Sequence, residues 1–145
     1  MAKIESTARI AAFLFLSNGA SACEAKAHQC NRLVEVANAQ QEQIAQTMAR
    51  LNSAAPDPAQ LETIAAAFDQ SLPRIAAVQV KDTRLTALSV EFQTNIRQFG
   101  TIVRGMAAAA RANNQDAYNE LVPQVQQTST RFSSTIDRIN GYCSQ

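Results

Sequence analysis

The sequence predicts an all-α fold, an up-down-up-down four-helix bundle, on three observations. Apolar residues recur at helical spacing from Cys30 onward. Asn, Asp and Pro punctuate that pattern into four stretches, and Cys30 and Cys143 stand at its two limits. No stretch alternates apolar and polar residues between turn signals, as a half-buried strand would.

The first helix is marked by Leu33, Val36 or Ala37, Ile44, Met48 and Leu51, and Asn52 to Pro56 stops it. Gln40, Gln41, Gln43 and Gln46 give it a polar, uncharged solvent face. The second opens at Asp57-Pro58-Ala59-Gln60, a cap carboxylate followed by proline at the first helical position and Gln at the third. Leu61, Ile64 or Ala65, Phe68, Leu72 and Ile75 are its apolar face, with a kink expected at Pro73. Val80-Lys81-Asp82 breaks it from the third helix, which Asp82 caps.

The third helix carries the clearest stripe: Leu85, Leu88, Phe92, Ile96, Phe99, Val103, Met106 and Ala110. Gly100 and Gly105 interrupt it, each costing about 1 kcal/mol relative to alanine, which points to close packing or a local distortion, or to a groove for a partner or small ligand. Asn113-Asn114 separates it from the fourth, whose first turns hold Asp116 and Glu120 near the positive helix end. There the stripe runs Tyr118, Leu121, Val125, Thr128, Phe132, Thr135 or Ile136, and Ile139. Pro123 is expected to kink this helix and Gly141 to end it.

Short connections make consecutive helices antiparallel. An even number of them returns the start of the first and the end of the fourth to one end of the bundle. Cys30 and Cys143 fall there, so a Cys30–Cys143 disulfide is expected. On the chain-entropy view, closing so long a loop stabilises by up to about 4–5 kcal/mol.

Residues 1–22 read as an export signal. Lys3 and Arg9 supply the basic region, Ile10 to Leu16 the apolar run, and Ser17 to Ala22 a small-residue tail ahead of a cut before Cys23. Removing 22 of 145 residues leaves a single domain of 123, residues 23–145. Lys3, Arg9 and Glu5 leave with the leader, so 13 basic and 12 acidic residues become 11 and 11. A neutral chain has no overall field for nucleic acid.

Three cysteines are an odd number, and an oxidising compartment requires that the third be accounted for. Ala20-Ser21-Ala22-Cys23 is similar to a lipoprotein signal, which would place a lipid anchor on Cys23, although a large aliphatic residue is usual where this chain has Ala20. A second cut, after Ala25-Lys26-Ala27, would leave only the two pairing cysteines. Lipidated and plain secreted forms both fit.

Catalytic groupings are scarce. His28, the only histidine, falls ahead of the first helix. The chain has no Glu-x-x-His pair, Cys-x-x-Cys-His, Gly-rich phosphate loop or Gly-x-Ser-x-Gly elbow. No enzyme, cofactor or metal is expected. One surface feature remains: Arg97, Arg104 and Arg111 recur every seven residues, a basic line about 21 Å long on the third helix. Such a line would face an acidic partner or an anionic surface, or pair with acids of neighbouring helices. Aromatics that stack bases are not interleaved with it, which argues against nucleic acid.

Cys30-Asn31-Arg32-Leu33, Val80-Lys81-Asp82-Thr83-Arg84-Leu85 leading to Phe92, and Ile139-Asn140-Gly141-Tyr142-Cys143 resemble a group of uncharacterised exported small helical-bundle proteins of bacteria, cyanobacteria among them. The resemblance implies a secreted bundle and no activity. The expected function is a non-enzymatic interaction or structural module, periplasmic or associated with the cell envelope. The alternatives are a carrier holding a small ligand or metal in the bundle interior, and a cytosolic helical adaptor with reduced cysteines.

Overall fold

The computed structural model describes residues 18–53 and 57–145, with side chains from Ala25 onward except at 52 and 53. The leader's basic and apolar regions lie outside the described residues, as does the Cys23 side chain. What is described is a bundle of four packed helices, without a strand: α1 (Asn18–Ser53), α2 (Pro58–Ala76), α3 (Thr83–Arg111) and α4 (Gln115–Cys143).

Local chemistry sets three of the helix starts. Asp57 accepts a hydrogen bond from the Ala59 N–H at 3.3 Å, with Pro58 in the position whose missing N–H costs nothing. Asp82 Oδ1 accepts from the Arg84 and Leu85 N–H groups at 3.0 and 2.9 Å. Asn114 Oδ1 accepts from the Ala117 N–H at 3.0 Å. Before it, Asn113 takes φ 51°, the left-handed turn that asparagine tolerates better than most residues.

Three boundaries differ from expectation. Helix α1 already includes Asn18 to Gln29, so His28 sits on the helix and not ahead of it. Nothing between Ala20 and Cys30 breaks a helix, and alanine, glutamate and lysine there all favour one. Gly141 does not stop α4, which continues to Cys143; the disulfide and Tyr142 hold the last turn in place. Helix α2 ends at Ala76, ahead of the expected break, where Val78 turns into the core and is 7% exposed. Pro73 lies in α2's last turn, its carbonyl accepting from the Ala77 N–H at 3.0 Å. Pro123 is exposed within α4, which runs through it.

Helix α3 is the centre of the bundle, packing along α2 on one side and α4 on the other. Its predicted stripe is buried as far as Met106, Leu85, Phe92, Ile96, Phe99 and Val103 completely, and Ala110 is half-buried. Phe68 meets Phe99 edge to face at 4.9 Å between centroids, and Phe92 meets Phe132 at 5.1 Å. Gly105 allows a close approach: a Cβ there would stand 3.1 Å from Leu121 Cδ1. At Gly100 the nearest atoms, on Phe68 and Asp69, would be at 3.7 Å, an ordinary contact.

Helix α1 is held differently. It packs chiefly on α4 and meets α2 and α3 at only a few places. Its buried stripe is narrow: Cys30, Leu33, Ala37, Gln40, Ile44 and Thr47. The Gln40 side-chain oxygen is buried with no hydrogen-bond partner among the described residues.

Candidate interaction sites

Cys30 and Cys143 form a disulfide, with Cα atoms 5.4 Å apart, joining α1 to the last turn of α4. A cluster of polar contacts surrounds it. Tyr142 donates its hydroxyl to Asp82 Oδ2 at 3.0 Å, linking α4 to the start of α3. The Tyr142 ring carries the Lys26 ammonium 4.2 Å from its centroid and the Arg84 guanidinium 5.2 Å from it, distances at which the ring quadrupole attracts cations. Gln29 Oε1 on α1 accepts from the Lys81 and Asp82 N–H groups at 2.6 and 3.1 Å. The hydrogen bond from the Leu85 N–H is the main reason the Asp82 carboxyl sits below the ordinary aspartate range, helped by Tyr142, the Arg84 N–H and the charge of Lys26.

The arginine line on α3 resolves into two kinds of residue. Arg104 pairs with Asp69 and Arg111 with Glu62, both acids of α2. The Arg111 hydrogen bond and charge hold the Glu62 carboxyl below the ordinary glutamate range. These pairs are about half exposed and add little to stability. Arg97 is exposed and has no ion-pair partner among the described residues.

A second polar seam joins α3 to α4. Asn95, 7% exposed, donates to Thr135 Oγ1 at 3.0 Å, and that hydroxyl lies 3.0 Å from Glu91 Oε1. Arg138 Nη1 contacts both Glu91 oxygens at 2.7 and 2.9 Å.

Metal-binding geometry is not found: among the described residues no group of three His, Cys, Asp or Glu side chains could hold an ion. Among them, too, no helix is long and apolar enough to cross a membrane. His28 instead shares a surface cleft with Arg32, one turn on, and with Lys81 of the α2–α3 connection. The sequence offered half of that grouping in the His28/Arg32 spacing. The other half, Lys81, comes from a loop far along the chain.

No family model, curated protein or solved structure matches this chain.

Proposed function

We propose that the protein is a non-enzymatic, exported helical bundle acting as an interaction or structural module at the cell envelope, with residues 1–22 removed and 23–145 forming one domain. The observation that carries this reading is the Cys30–Cys143 bond. Such bonds persist in oxidising compartments and are rare in the cytosol. The third cysteine, Cys23, is then either the lipidated first residue or, in a plain secreted form cut after Ala27, removed with the leader.

The topology proposed is up-down-up-down. Its support lies in the order of the contacts. From Glu62 to Asp69 the chain advances seven residues along α2, while the partner recedes from Arg111 to Arg104 on α3. Between α3 and α4, Glu91 meets Arg138 while Gly105 approaches Leu121. A spin label at Glu62→Cys should broaden amides around Arg111 and spare those around Arg84. The reverse pattern would refute the topology.

Intact-mass analysis of protein from its native host tests the export reading. A chain beginning at Cys23, two hydrogens lighter than the reduced form and with or without lipid mass, is the expected result. An intact Met1 with three alkylatable thiols would overturn it and favour a cytosolic adaptor.

A further inference from the structure

An open cleft of about 380 Å³ separates α1 from the α2–α3 connection. His28 and Arg32 line it from α1, and Val78, Gln79 and Lys81 line it from the connection. Gln29 ties the two walls together, its side-chain oxygen accepting from the Lys81 and Asp82 N–H groups. With that oxygen engaged, the Gln29 amide has only N–H donors left to offer a ligand. The imidazole, guanidinium and ammonium groups add further donors, and among the described residues no acidic one lines the cleft.

Among the described residues no carboxylate pairs with His28, Arg32 or Lys81. Asp82, adjacent to Lys81, already accepts from the Arg84 and Leu85 N–H groups through one oxygen and from Tyr142 through the other. The contrast with Arg104 and Arg111, both matched to acids of α2, is direct.

We infer that this cleft binds a phosphate group. Arg32 and Lys81 supply two fixed positive charges, which match a dianion; a single carboxylate would leave one unmatched. The guanidinium plane suits two phosphate oxygens at once, and an ammonium suits a third as a point charge. A free phosphate and a phosphomonoester lipid headgroup, that of phosphatidic acid, present the same oxygens and charge, and α1 reaches Cys23 only five residues before His28. The inference rests on the cleft and not on export, so intact-mass failure leaves it standing.

The test uses the full chain. Inorganic phosphate is titrated in while backbone amides are followed by NMR, and sedimentation is measured with phosphatidylcholine vesicles with and without phosphatidic acid. Saturable shifts confined to amides of 28–32 and 79–82, or retention that requires phosphatidic acid, is the expected result; the first assigns free phosphate and the second a lipid headgroup. Arg32→Gln and Lys81→Gln should each weaken binding by about tenfold or more, the effect of losing a charge-assisted hydrogen bond. Arg97→Gln should leave it unchanged. No saturable effect in either arm overturns the inference, as does retention on both vesicle types alike without a phosphate shift. Equal weakening by Arg97→Gln also overturns it, because attraction would then be spread over the surface. Should a cleft variant fail to fold by circular dichroism, the wild-type shift map decides.

Discussion

Truncating Phe99 to alanine tests the core where two helices depend on one ring. Phe99 is fully buried on α3 and meets Phe68 of α2 at 4.9 Å, inclined at 61°. Losing a buried phenyl and leaving a cavity costs about 3–5 kcal/mol. Of that, roughly 0.5–1.5 kcal/mol belongs to the ring pair beyond simple burial. Against a total stability of about 5–15 kcal/mol for such a domain, the variant should fold but melt roughly 10–25 °C lower. Gln98→Ala, one residue away and exposed, should shift stability by less than about 0.5 kcal/mol. Thermal melts and urea titrations of Phe99→Ala, Phe68→Ala and the double variant separate the pair from its surroundings. The double variant should cost less than the two single changes together, because each ring is the other's neighbour. Equal, small losses for Phe99→Ala and Gln98→Ala would refute the reasoning, since α3 would then not bury this face.

Gln40→Met should raise stability by about 1 kcal/mol in urea titrations, because it removes a buried oxygen that has no partner among the described residues and keeps the side-chain length. Gly100→Ala should stabilise by about 0.5–1 kcal/mol, as the added methyl meets only ordinary contacts, whereas Gly105→Ala should gain less because Leu121 must yield. Replacing Cys30 and Cys143 by alanine opens a loop with a sequence separation of 113 and should cost about 2–5 kcal/mol. Hydrogen exchange should then show α1 losing protection before α3, and uniform loss would contradict the light attachment of α1. Asp82 and Glu62 titrate below their ordinary ranges, so their contribution is present above the ordinary carboxylate pKa and is lost as pH falls through the folded values. Melting temperature should therefore be flat near neutrality and fall below about pH 4, and less steeply in Asp82→Asn.

What could be read ahead of the structure was what local chemistry determines. Asp57 and Asp82 cap their helices through their own side chains, within three residues, so composition and position reveal them. The α3 stripe was equally legible, because a central helix packed on two sides needs a broad apolar face. Legibility failed where a distant residue decides the outcome. Gly141 reads as a terminator until Cys143 is tied to Cys30. Arg104 and Arg111 fit either an open basic line or pairs with acids of neighbouring helices until α2 brings Asp69 and Glu62 alongside in the same heptad step. The Gln29 contact with Lys81 and Asp82 joins residues more than fifty apart, and no local rule anticipates it.

The disulfide also decides how the molecule would bear a mechanical load. Tension applied between the segment before Cys30 and the chain end after Cys143 runs from one cysteine to the other through the sulfur bridge. The loop that contains α2, α3 and their connections lies outside that line of force. A pull that would peel an unbridged bundle apart helix by helix therefore meets a covalent bond first, and the packed body behind it stays slack.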